Sequence, residues 1–396
     1  MRCVLYASDH GFGHATRLFA LAQVLVRHGH PVTLCAGAAA QQVGARWSQP
    51  AAASIPSAPL QVIEARLDFG LSPARGAVGV DAAATRARLS DLCAGFPALV
   101  EREAERLRAL QAELVIADAP AAAVAAAARV GVPAVVCSNF TWADVYEDHY
   151  GAEPLRLLRQ AYATARFGLR LGIGRLPLDG VPRLREVSGV LGRRPLRGRA
   201  QIRAALGLTP QTALLGLGLG RSYGPEQAAG LRAALQTADQ HCNDELRVLA
   251  PQDLLQGAAP PRLVVTFPAE DPQAQDYFAA CDAVLAKGGY STIAEAALAG
   301  VPLLVFPVAG NRESDALCRD TQALGLGLAL PDEAAAQTLL ADPARALTLA
   351  RGRHLAALPE AGEEILRILQ EEGLLPTGID RAKAGQTQTP AGASRT

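Results

Sequence analysis

The sequence predicts an α/β protein of two domains, each built on a parallel sheet, facing each other across a cleft. Three observations predict it. Short apolar runs alternate with helix-length segments in two separate series, a stretch rich in Pro, Gly and Arg divides the series, and each series has a glycine turn joining strand to helix.

The first series opens with strands over 2–7 and 31–36. They flank a helix over 14–28 in which Leu18, Leu21, Ala22 and Leu25 share one face and Gly29 stops the chain. That is a βαβ unit. The pattern returns as a strand at 113–117, a helix through the alanine-rich 120–130 and a strand at 133–137. Residues 1–180 are therefore assigned to the first domain. From 181 to 211 the composition is that of a surface connection. The second domain spans 212–373, with strands at 213–217, 246–250, 262–266, 283–286 and 302–306. Residues 374–396 are expected to be a disordered tail, since GIDRAKAGQTQTPAGASRT has few apolar groups to bury.

Composition narrows the partners. The 396 residues are half hydrophobic and carry 38 acidic and 38 basic side chains, which argues against nucleic acid because phosphate binding leaves a basic surplus. No stretch reaches the roughly 18–20 apolar residues of a membrane span, and no secretory leader is recognised, so a cytoplasmic location is expected. The seven cysteines are scattered without C-x-x-C spacing and read as buried thiols. Arginines outnumber acids over 156–203; this reads as a solvated surface, and contact with a membrane surface is not predicted.

The first glycine turn is DHGFGHATR, residues 9–17. Gly11 and Gly13 let the backbone bend and approach a ligand, and the helix that follows points unpaired N–H groups into the cleft. It is neither the G-x-G-x-x-G dinucleotide fingerprint nor a Walker loop, and no acidic residue after the second strand awaits a ribose. His14, in the first helical turn, is placed to take a proton from a bound hydroxyl. The second turn is AKGGYSTIAEAALAGVPLLVFP, 286–307. Gly288 and Gly289 make the bend, Ser291 and Thr292 are expected to cap the helix, and Glu295 lies one turn on, in reach of a sugar diol. Lys287 is one of only two lysines, with Lys383, in a chain that otherwise uses arginine, and could serve as a compact charge for a phosphate.

These motifs resemble the two-Rossmann-domain (GT-B) nucleotide-sugar glycosyltransferases. The likeness is to the peptidoglycan N-acetylglucosaminyltransferase group and, more fully, to the glycosyltransferase-like N-terminal region of plant-type L-arabinokinases. It covers residues 1 to about 370 and includes CSNFTWADVY, RLPLDGVPRLREV and LGLGRSYG. It does not extend to the arabinokinase kinase domain. The resemblance implies an inverting transfer of a hexose from a nucleotide diphosphate to a hydroxyl acceptor, with His14 as general base and Asp118 orienting it. A uridine diphosphate sugar is the implied donor, used as co-substrate with no other cofactor. It further implies a donor site of Gly218, Arg221, Ser222, Phe267, Lys287, Gly288, Gly289, Ser291, Thr292 and Glu295, with Phe267 at the base and Glu295 at the ribose. With no Asp-x-Asp pair, no metal is expected. Where many relatives carry Asp-Gln at the donor sugar, this chain has Asn311-Arg312-Glu313-Ser314, which leaves the sugar and the nucleobase open.

Several residues keep two readings. His10 and Phe12 belong to the acceptor side, His10 alternatively to an exposed loop. Arg17 is an interdomain or acceptor contact, or a surface helix position. Asn139 and Trp142 line the acceptor pocket or pack in the core, and Phe267 is a base contact or core. Two other functions stay open. One is a nucleotide-sugar-binding regulatory protein without transfer; the other is an enzyme like the UDP-N-acetylglucosamine 2-epimerases, whose T-E-R-P-E-type segment is missing here.

Overall fold

The computed structural model describes residues 1–10, 12–37, 58–74, 78–147, 150, 152–219, 228–241, 245–255, 259–268, 271, 273–351 and 358–377. The first domain runs β1 (Cys3–Ala7), α1 (Gly13–Arg27), β2 (Val32–Ala36), β3 (Leu60–Glu64), α2 (Ala82–Ala109), β4 (Leu114–Asp118) and α3 (Ala121–Arg129). It continues with β5 (Ala134–Ser138), α4 (Trp142–Tyr146), α5 (Ala152–Tyr162), β6 (Phe167–Arg170) and β7 (Leu184–Glu186). Its strands are all parallel, in the order β3-β2-β1-β4-β5-β6-β7.

After α6 (Arg199–Ala205), the second domain runs β8 (Ala213–Gly218), α7 (Ala228–Asp239), β9 (Leu246–Pro251), β10 (Val264–Phe267), α8 (Ala274–Ala279), β11 (Ala283–Lys287) and α9 (Tyr290–Leu298). Then come β12 (Leu303–Phe306), α10 (Arg312–Ala323), β13 (Gly327–Ala329), α11 (Glu333–Ala341), α12 (Pro343–Arg351) and α13 (Gly362–Glu371). Its parallel order is β10-β9-β8-β11-β12-β13. In both sheets the order reverses next to the first strand, at the crevice where such folds hold ligands.

The fully apolar strands follow from burial on both faces. β1, β4, β5 and β12 are buried at every position, as parallel strands covered by helices must be. Leu18, Leu21, Ala22 and Leu25 of α1 are buried as the periodicity required. The described helices include none long and apolar enough to cross a membrane.

Two boundaries need correction. The stretch 181–211 is more than a connection, because β7 closes the first sheet and α6 follows it. β7 was hidden by its charges: it is a short edge strand, where charged side chains are usual. Arg170 of β6 pairs with its Glu186 at 2.6 Å and Arg185 with Glu371 at 2.9 Å. The ordered chain also passes 373. Gly373, at φ +70, ends α13, the Leu374 N–H bonds Leu369 O at 2.9 Å, and Leu374 and Leu375 are buried. Residues 378–396 of the expected tail lie outside the described residues. The C-terminal helix also crosses back: α13 packs on α1, with Val24 against Gly362.

Candidate active site

Strand register assembles the front half of the site. Ala7, the last residue of β1, is opposite Asp118, the last of β4, and the Ser8 N–H bonds Asp118 O at 3.2 Å. The chain then turns and α1 starts behind Phe12, which caps it without a side-chain hydrogen bond. His14 thus lands beside Asp118, with Nδ1 at 3.0 Å from Oδ2. Ala119 follows at φ +74, a left-handed conformation that costs an alanine about 1–2 kcal/mol and that the Tyr162 hydroxyl helps hold by donating to Ala119 O.

Arg17, one turn after His14, is the hub of this half. Its guanidinium donates from Nε to Asp118 Oδ2, from Nη2 to Asp118 Oδ1 at 2.5 Å and from Nη1 to Asn139 Oδ1 at 2.7 Å. Nη2 also lies 2.9 Å from His14 Nδ1 and 3.2 Å from Ser138 Oγ. Arg17 is 1% exposed, so of its readings the surface position does not hold, while its contact with the Tyr290 ring fits the interdomain one; it is also the charge partner of a buried carboxylate. Burial alone would raise the Asp118 carboxyl, but Arg17 and then His14 hold it down at about 2. It is an ionised group in a dry place.

The acceptor-side residues divide. Trp142 is buried, its Nε1–H donating to Asp68 Oδ2 at 2.7 Å, and its ring meets His10 edge-on at 5.7 Å. Asn139 is fully buried and spends its amide on Gly174 O and Glu313 Oε1. Both are buried. Phe12 is half-buried against the core. His10, beside Gly70, is pushed down to about 3, by burial first and then by His14, Lys287 and Arg88. It stays neutral near pH 7. Asp68 escaped the sequence reading; it accepts from Ser8 Oγ at 2.8 Å, the Asp9 N–H at 2.9 Å and Trp142, tying the β1–α1 turn to α4. No motif announces it.

The rear half is the turn from β11 to α9. Gly288 has no room for a side chain: a Cβ would meet Ser314 Oγ at 2.3 Å and Ser314 O at 2.8 Å. Gly289 caps α9 with no side-chain hydrogen bond, so Ser291 and Thr292 are not caps, contrary to expectation. An uncapped helix start keeps its N–H groups open to an anion. Thr292 instead faces β8, where a Cβ on Gly218 would meet its Cγ2 at 2.4 Å. Ser291 Oγ donates to Gly13 O at 3.0 Å and lies 3.1 Å from Thr16 Oγ1, so the starts of α1 and α9 touch across the cleft. Lys287, lowered to about 8 by burial against the attraction of Glu313, closes the strand.

Three donor-side residues are engaged within the chain. Glu295 is buried and engaged by Arg193 Nε at 2.6 Å, so its carboxylate is not presented free to a diol. Phe267 stacks on Tyr277 at 4.8 Å and packs as core. Asn311 caps α10, accepting from the N–H groups of Glu313 and Ser314. Glu313 crosses the cleft, with Oε1 accepting from Asn139 Nδ2 at 3.1 Å. Arg221 and Ser222, like Gly11, lie outside the described residues.

Two parallel-sheet domains of this strand order have the architecture of the GT-B class of fold. The solved structures agree. The spinosyn rhamnosyltransferase SpnG is similar over 93% of this chain and 100% of its own, with TM-score 0.61 and 16% identity. MurG from Acinetobacter baumannii covers 94% and 100%, with TM-score 0.54 and 13% identity. The chain has the GT-B fold. In sequence it is 28% identical to an L-arabinokinase of Arabidopsis thaliana over 308 residues, 76% of this chain and 27% of that protein. It is 32% identical over 201 residues, 44% of this chain and 46% of the relative, to a UDP-N-acetylglucosamine–N-acetylmuramyl-(pentapeptide) pyrophosphoryl-undecaprenol N-acetylglucosamine transferase of Xanthomonas campestris. The chain thus spans between a quarter and a half of the length of these relatives. No family model matches it. Both resemblances expected from the motifs are found.

Proposed function

We propose that this chain is an inverting, metal-independent glycosyltransferase that moves a hexose from a nucleotide-diphosphate sugar, with uracil as the base, to a hydroxyl acceptor. The observation that carries the reading is the meeting of His14 and Asp118 with the uncapped start of α9 across one cleft. His14 takes the acceptor proton at Nε2, and Asp118 steadies the imidazolium that forms. The diphosphate leaves against the N–H groups of the Gly288-Gly289 turn and the Lys287 ammonium; these oppose the growing negative charge without a divalent ion. Gly218, Thr292, Asn311 and Glu313 line the donor side, and Glu295 reaches the ribose by exchanging Arg193 for it. The partners are small molecules, and the nucleotide bound by a GT-B relative supports this: SpnG has been solved with thymidine diphosphate.

A second reading, binding of a nucleotide sugar without transfer, is favoured by the engagement of Asp118 by Arg17 and of Glu295 by Arg193. One experiment separates the two. A diphosphate at 100 times its dissociation constant raises the unfolding free energy by about 2.7 kcal/mol, so thermal shifts with uridine and thymidine diphosphates report binding. Transfer is then assayed in wild type and His14→Ala. The transferase reading expects the variant to bind as well as wild type and to lose about 10²–10⁴ in rate. Transfer at the wild-type rate by His14→Ala, or stabilisation by neither nucleotide, refutes it.

A further inference from the structure

Nδ1 of His14 has two polar neighbours at nearly equal range, Arg17 Nη2 at 2.9 Å and Asp118 Oδ2 at 3.0 Å. Their demands conflict. A guanidinium only donates, so it needs a lone pair on Nδ1; an ionised carboxylate only accepts, so it needs a proton there. One ring nitrogen meets one demand.

The contacts decide for Arg17. The Asp118 carboxylate is already bonded on both oxygens by the guanidinium, so it does not depend on an imidazole proton. A positive charge 2.9 Å from Nδ1 repels an N–H dipole and attracts a lone pair. Arg17 is also held from its far side, by Asn139 Oδ1 at 2.7 Å and by the Tyr290 ring, 4.5 Å from the guanidinium carbon. These contacts hold it against Nδ1 in the resting arrangement.

We propose that Arg17 is a positioning residue that fixes the tautomer of His14, keeping Nδ1 bare and the proton on Nε2, so that the resting imidazole meets the cleft as an N–H donor. For Nε2 to act as a base, the ring must give that proton to water and take one from water at Nδ1, facing Asp118 Oδ2, while Arg17 Nη2 withdraws. Two of the contacts restraining Arg17 lead to the rear domain: Tyr290 is the first residue of α9, and Asn139 is bonded to Glu313 of α10. Arg17 therefore links the state of the donor side to the availability of the base. This last consequence rests on the transferase reading; the tautomer does not.

The test is long-range ¹H–¹⁵N correlation of the histidine side chains in the full chain, labelled with ¹⁵N-histidine at mildly alkaline pH, with His14→Gln assigning the signals. The expected result is a protonated Nε2 and an unprotonated Nδ1 on His14. A proton on Nδ1 in the wild type overturns the proposal, whether or not any transfer is ever detected. Arg17→Lys keeps the charge beside Asp118 but lacks the fork that reaches Nδ1, and it is expected to move the proton to Nδ1. An unchanged pattern in a folded Arg17→Lys protein also overturns the proposal, and if that variant does not fold, the wild-type spectrum decides alone.

Discussion

Replacing Asp118 by Asn preserves shape and one acceptor oxygen but leaves the Arg17 guanidinium buried without its counter-charge. Both side chains are within 2% of complete burial, and no water competes for either. Breaking one side of such a pair costs about 3–5 kcal/mol, which in a domain of this size corresponds to a fall of roughly 10–15 °C in melting temperature. The wild type carries a related signature in acid. Asp118 titrates at about 2 when folded against an ordinary 3.8, so its contribution is complete above pH 4 and disappears as pH falls through 2. At about 1.4 kcal/mol per unit this amounts to about 2 kcal/mol. Calorimetric melts of wild type and Asp118→Asn from neutral pH to pH 2 measure both. The gap between the proteins is expected to be widest at neutral pH and to narrow below pH 4. A variant within 1 kcal/mol of wild type at neutral pH, or a gap independent of pH, refutes the assignment of Asp118 as the ionised partner of Arg17.

Two further outcomes follow from the same geometry. Gly288→Ala drives a methyl group into the carbonyl oxygen of Ser314, a backbone atom with nowhere to go, and is expected to cost about 1–3 kcal/mol in urea unfolding and to weaken diphosphate binding; wild-type stability would count against the close approach of this turn to α10. Trp142→Phe removes the indole donor to Asp68, which burial already pushes upward, at a cost of about 1–2 kcal/mol. Since the lost bond is to the ionised carboxylate, the variant is expected to be more destabilised at neutral pH than near pH 4, and urea unfolding at the two pH values checks it.

What was legible in the sequence was whatever is local. The strand–turn–helix units around His14 and Lys287 are written in consecutive residues, whereas the place of Asp118 beside the turn came from the family resemblance. Two parallel sheets followed from the alternation alone. What was illegible is partnership across distance. Nothing in residues 286–307 tells that Arg193 engages Glu295, or that Gly289, by capping α9 through its backbone, frees Ser291 to bond Gly13. Charged edge strands such as β7 hide for the same reason, since their pairing lies in other elements.

Arginine is the sharpest case. This chain writes nearly every positive charge as arginine, so Arg17 and Arg156 look alike in sequence, yet one is sealed beside a carboxylate and the other sits on an exposed helix face. The difference is dielectric, not chemical. An exposed pair such as Arg156 and Glu153 contributes at most about 1 kcal/mol, whereas a buried guanidinium fixes the protonation of everything it touches, because no solvent can supply the missing partner. A helix position three residues after the candidate base is where such a group reaches the same strand end as the imidazole. The surface alternative for Arg17 fails because the face it shares with His14 points at the sheet edge, where a polar side chain is retained only if its hydrogen bonds are met.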